Sequence, residues 1–472
     1  MIKSDSLYQV LLKYDFELIR GNEGISEYIY NHLKQYYNDI DDAISKKNDF
    51  LGETFVDMLK EKMPLLSELC ECIPSVLSKF DDGHIQKAYN ESVALFDKAK
   101  PYFFQRLSYS SYNGDYYRIR QGDFRITDPT YSKQQKMELF HIKRTLRNRI
   151  GAYRYSVAGY PCLYLASDSD LAWFECGMPK QFSYCKMRIT EEGENALKLV
   201  DFSFRPVETI SAFNIWVLNA RRCGNEESEI IQYYEFLIRY IITYPFAAAC
   251  SVKVKDRGAK FVQEYIFPQL FMQWIRESDD IDGVRYRSSL KSDLLKYRTA
   301  VNVALPVKSF RADGLDDNLA AKIAISDIGY IDVNKEFTKH QDIIIKIKEY
   351  KCELRQYMIA AECCGDYVIE LIDLCDYVIN IYTALMEGDY TNADLLFTCL
   401  NQLCDHLHIV NKYHDTIIQE SIEKAPSVKR DFIEVSVAKK HFEDLQKLTD
   451  KIISKNMAFN LPFEDLGNFE HL

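Results

Sequence analysis

Three residues with chemical potential fall within one short stretch, YRYSVAGYPCLYLASDSDLAWFEC, Tyr153 to Cys176: Arg154, Tyr164 and Glu175. A guanidinium fork can hold a pyrophosphate or a carboxylate through two parallel hydrogen bonds. A tyrosine ring can stack on a flat ligand, and its hydroxyl can donate or accept. A carboxylate set among apolar neighbours is costly unless it is paired or used. Spacing alone leaves two readings open. The three residues form one site, or Arg154 and Glu175 form a structural ion pair with Tyr164 in the core.

The elements that must position these groups can be read locally. SVAGYP has the glycine and proline of a turn. CLYLA reads as a short buried strand. SDSD offers helix caps, with Ser167 and Asp170 spaced as a capping box. LAWFEC then begins a helix, and Gly177 suits the position just past its end. In that helix Glu175 falls four residues after Leu171 and three after Ala172, so it is expected to point inward. Two further segments carry similar residue types. YYRIR puts Arg118 and Arg120 on one side of a strand, and DGVRYRSS puts Tyr286 and Ser288 after a turn signal. A third cluster, Cys399, Cys404, His406 and His408, lacks the spacing of a common zinc module and is read as thiols and imidazoles without a metal.

The chain has 472 residues, 47% hydrophobic and 27% charged, enough for a sizeable core and two to four domains. A net charge of −11 argues against a broad nucleic-acid-binding face. The longest apolar runs fall short of a membrane span, and the N-terminus is too polar for a secretory signal. Thirteen cysteines without a CxxC read as reduced thiols. These features together predict a cytoplasmic protein. Residues 1–100 have helical periodicity, as in ISEYIYNHLKQYY and HIQKAYNESVALFDKAK. Residues 101–312 mix strands (QFSYCKMRI, ALKLVDFSF, AAACSVKV, AVNVALPV) with helices, an α+β pattern. Residues 313–472 return to helical patterns.

The ordered set of segments in 101–312 resembles the RES domain family. YYRIR is similar to that family's opening arginine segment. GAYRYSVAGYPCLYLASDSDLAWFE is similar to its core motif, with arginine, tyrosine and glutamate at offsets of ten and eleven. YIFPQLFMQWIRESDDIDGVRYRSS resembles its later helix and tyrosine–serine ending, and AVNVALP its closing strand. The resemblance covers roughly 200 of the 472 residues. It implies an ADP-ribosyltransferase-like mixed sheet between all-helical flanks, the N-terminal one resembling HEPN extensions. It implies NAD⁺ as substrate, cleaved at the nicotinamide–ribose bond, with water, phosphate or a protein as acceptor. It further implies a toxin–antitoxin or phage-defence setting with a possible antitoxin or regulatory partner; a homo-oligomer and no metal are also expected, and the alternative reading is a catalytically inactive core in a helical interaction protein. Matched position by position, Glu175, Arg154 and Tyr164 would be catalytic. Arg118, Tyr155, Ser156, Tyr286 and Ser288 would bind the substrate. Arg118 and Arg154 would clamp the pyrophosphate. Ser156 departs from the family's usual asparagine, and Val157 and Ala158 from its proline pair. None of the nine histidines has an arginine four to six residues ahead, so a HEPN-type ribonuclease is not expected of the flanks.

Overall fold

In α2 (Ile25–Ser45) the apolar residues Ile25, Ile29, Leu33, Tyr36, Ile40 and Ile44 recur at helical spacing, and all are buried. The same logic builds α1 (Ser6–Lys13), α3 (Gly52–Lys60), α4 (Met63–Asp81) and α5 (Ile85–Ala99). Pro64 lies in the first turn of α4, where its missing N–H costs nothing. The computed structural model describes residues 6–333 apart from 17, 47–50, 104–114, 126–131, 190–195, 225–226, 257, 290–300 and 312–313; beyond them it describes 348, 373–380, 383, 402, 466 and 469–472. The Cys399–His408 cluster and most of the helical patterns expected after residue 333 lie outside the described residues.

The middle of the chain is mixed α and β. Its strands are β1 (Tyr116–Gln121), β2 (Cys162–Ala166), β3 (Gln181–Ile189), β4 (Leu199–Phe202), β5 (Gly283–Arg287), β6 (Val301–Pro306), β7 (Ile323–Ile325), β8 (Gly329–Asp332) and β9 (Glu470–His471). They form one sheet in the order β4-β5-β6-β2-β1-β3-β7-β9, with β8 also pairing β3. Only β4 and β5 run parallel; the other pairs are antiparallel. The sheet therefore reaches residue 332 and takes a further short strand from 470–471. The helices are α6 (Ser132–Leu139), α7 (Ser169–Glu175), α8 (Pro206–Arg222), α9 (Glu227–Ser251), α10 (Ile266–Glu277) and α11 (Asp317–Lys322). AAACS, expected as a strand, forms the last turns of α9 instead. Alanine is the strongest helix former, and an apolar run on its own does not distinguish strand from helix.

Side-chain alternation divides the sheet between two cores. Val200, Phe202, Val284, Tyr286 and Ala304 join a large core with α1–α5 and α8–α10. Leu163, Leu165, Cys185, Met187, Val303 and Leu305 face a second core closed by Leu139, Phe140 and α11. The N-terminal helices and the sheet face that carries Tyr286 thus share one apolar interior.

That interior holds an aromatic cluster with a titratable member. The His32 Nε2 and the Tyr244 hydroxyl lie 2.7 Å apart, with Tyr14 and Tyr36 packed edge-on. Burial pushes the His32 imidazole down to about 4. The folded state thus prefers neutral histidine, whereas the unfolded chain takes up a proton near 6.5. Stability is unaffected above that value and falls as the pH drops from about 6.5 towards 4. At pH 5 the loss is about 2 kcal/mol. In urea unfolding, the difference in stability between pH 7 and pH 5 should shrink by that amount in His32→Gln.

Candidate functional site

α7 begins where Asp168 caps it, Oδ1 accepting from the Leu171 amide at 3.1 Å. The Asp170 side chain of the expected Ser167–Asp170 box lies outside the described side chains. Ser167 accepts from the Val301 amide through its hydroxyl, tying the helix start to β6. At the other end the Met178 amide donates to the Trp173 carbonyl, and Gly177 takes a φ of 80°. Such a left-handed residue closes a helix at little cost only when it is glycine.

This early stop changes the position of Glu175. Leu171, Ala172, Trp173 and Phe174 are all buried, whereas Glu175, the final helical residue, is exposed. The expected inward direction is therefore corrected: the helix ends before its apolar face can cover the carboxylate. The group is nonetheless held. Its Oε1 accepts from the Ser288 hydroxyl at 2.7 Å and from Asn302 Nδ2 at 2.7 Å. Oε1 is thus fixed, and among the described residues Oε2 accepts no hydrogen bond.

Arg154 does not pair with Glu175. It is buried, and it donates to the Cys250 carbonyl at 2.8 Å, the Val252 carbonyl at 3.0 Å and the Ser289 hydroxyl at 2.7 Å. Its guanidinium also lies 5.5 Å from the centre of the Tyr265 ring. The fork expected to meet a pyrophosphate is directed at backbone carbonyls, because α9 ends beside it with carbonyls that have no helical partner. Arg118 Nη1 donates to the Tyr164 carbonyl at 3.1 Å, bridging β1 to β2 beside their paired residues Tyr117 and Ala166. Arg120, two residues on, donates to the backbone and carboxylate of Glu138.

The tyrosines form a connected group. The Tyr164 hydroxyl donates to Ser156 Oγ at 3.1 Å and accepts from the Tyr155 amide at 3.2 Å. The Tyr155 and Tyr286 rings have centroids 4.5 Å apart. Ser156 closes a narrow turn through reciprocal backbone bonds with Tyr153, and Gln269 Nε2 donates to the carbonyls of both residues. The turn at Ser156–Ala158 is therefore well tied without asparagine or prolines. Burial raises the hydroxyls of Tyr155, Tyr164 and Tyr286 well above their usual value, and Glu175 adds to this at Tyr286. All three remain protonated near neutrality, so they serve as donors and ring surfaces rather than bases. Burial likewise raises the Cys176 thiol, which is thereby disfavoured as a thiolate nucleophile.

Glu175 and Ser288, 113 residues apart, thus meet directly, and Tyr155, Ser156, Tyr164 and Tyr286 form an adjoining cluster. Arg118 reaches Tyr164 through its backbone, and Arg154 braces the loop that carries Tyr155. Asn302 was not among the residues singled out by sequence. Its one local signal is an amide within the apolar run AVNVALP.

The chain matches no family model and no solved structure. A curated protein of Bacillus subtilis (strain 168), described as "Putative toxin YopC", is 28% identical over 275 residues. That alignment covers 56% of this chain and 59% of the relative, so the chain spans about three-fifths of its length.

Proposed function

We propose that this protein consumes NAD⁺, breaking the bond between the nicotinamide nitrogen and ribose C1′, in a toxin-like role. The observation that carries the reading is the Glu175 carboxylate, with Oε1 held by Ser288 and Asn302 and Oε2 accepting no hydrogen bond among the described residues. The likeness of the surrounding segments to the RES family supports NAD⁺ as substrate. The description of the Bacillus relative supports the toxin-like role.

In this reaction the C1′–N bond breaks and nicotinamide leaves with the bonding pair. Positive charge develops on C1′ and the ring oxygen. A fixed carboxylate beside that atom stabilises the charge, as carboxylates do in glycosidases. The acceptor oxygen then bonds to C1′ and loses its proton to solvent. Ser288 and Asn302 keep the carboxylate directed without a large reorganisation. Tyr164 and Tyr286 supply phenol faces and donors. Arg118 is the better candidate of the two arginines for the phosphates, since it makes one backbone bond through Nη1, whereas both terminal nitrogens of Arg154 are engaged.

Inducible expression in a bacterium tests this. Cellular NAD⁺ should fall before growth stops, and Glu175→Gln should spare both. Three acceptor arms separate the chemistries: ADP-ribose in water, a phosphorylated ADP-ribose when phosphate is added, or label transferred to protein. Growth arrest with NAD⁺ unchanged would exclude the reading.

A further inference from the structure

We infer that Asn302 is a positioning residue that fixes the direction of the Glu175 carboxylate; this rests on the NAD-consuming reading above. Every residue of β6 is buried, and Asn302 is the only one with a polar side chain. An amide at such a position is unfavourable unless it is hydrogen bonded. Among the described residues its Nδ2 donates to a single partner, the Glu175 oxygen at 2.7 Å. The sheet register makes this contact specific. Asn302 pairs with Ala166 on β2 and Tyr286 on β5, so it stands on the sheet face that carries Tyr164 and Tyr286.

The chemistry of the amide matters as much as its place. An amide N–H donates at every pH and favours the ionised carboxylate. Ser288 shares the same oxygen, but a hydroxyl can rotate and accept instead. Among the described residues, the titratable groups that face Glu175 are Tyr286 on β5 and Cys176, just past the end of α7. Arg118 on β1 lies beside Cys176, and Arg154 beyond Tyr286. Burial holds the Tyr286 hydroxyl protonated. Asn302 is thus the neutral donor best placed to direct the Glu175 carboxylate without titrating itself.

Two near-isosteric variants test the role. Asn302→Asp would set a second carboxyl against Glu175, and two such groups share one proton. The acidic limb of the NAD⁺-consumption profile should then move up by about one to three pH units, with activity returning at higher pH. Asn302→Leu removes the donor without adding charge. It should lower kcat by about 10- to 100-fold, with KM changed by less than about threefold. A purely structural role for Asn302 would lower activity at all pH values alike and leave the limb in place. The Glu175 carboxyl resonance, assigned by its loss in Glu175→Gln, can also be titrated by ¹³C NMR without NAD⁺. An upward shift of its midpoint in Asn302→Asp is expected. An unchanged midpoint in folded protein would overturn the inference, whatever the substrate proves to be. A shifted midpoint with no NAD⁺ consumption by the wild type would instead overturn the NAD-consuming reading alone.

Discussion

Replacing Glu175 with glutamine is expected to slow NAD⁺ consumption by about 10³-fold while leaving the fold intact. Glutamine keeps the shape of the side chain and one oxygen able to accept from Ser288 and Asn302. It loses the negative charge that would offset the cation developing at ribose. Glu175 is exposed at the end of α7 and contributes no apolar burial, so the melting temperature should move by no more than a few degrees. The loss should fall on kcat rather than KM, because the charge is demanded in the transition state. A variant with more than about a tenth of wild-type kcat would remove Glu175 from the chemistry.

The second large effect is expected at Arg154, and on stability. Arg154→Met would leave the carbonyls of Cys250 and Val252 and the hydroxyl of Ser289 without their charged donor in a buried setting. Each buried orphaned carbonyl costs about 1–3 kcal/mol, and Ser289 is only partly buried, so a total of about 2–6 kcal/mol is expected. Arg154→Lys should recover little of this, since an ammonium cannot reproduce a planar fork reaching two carbonyls and a hydroxyl. Denaturant unfolding measures the loss directly. A pyrophosphate clamp would behave differently: KM for NAD⁺ would rise tenfold or more, with unfolding unchanged. The bonds made by Arg154 predict the first outcome.

These two residues also show what could be read from the chain alone. The strand–helix pair around Tyr164 and Glu175 was legible because local rules decide it: an apolar run, a cap, a glycine stop. That Glu175 and Ser288 belong to one site was expected from the resemblance, but the bond between them is seen only in the structure. The direction of Glu175 was misjudged because helical phase assumes a helix that continues, and this one ends at the residue in question. The task of Arg154 was hidden because its partners are backbone carbonyls, which leave no mark in a sequence. Asn302 was missed for a tertiary reason. It lies 127 residues from Glu175, and only the order of strands brings them together. The short strands β7 and β8, three and four residues long, carry too little periodicity to be separated from the helical patterns that follow.

The most direct test of the account is release of free nicotinamide from NAD⁺ by the purified wild-type chain and by Glu175→Gln, with and without inorganic phosphate. The account predicts nicotinamide release by the wild type, matched by formation of an ADP-ribosyl product, and none above background from the variant. Intact NAD⁺ after incubation with folded wild-type protein under every acceptor condition, or equal release by the two proteins, would contradict it.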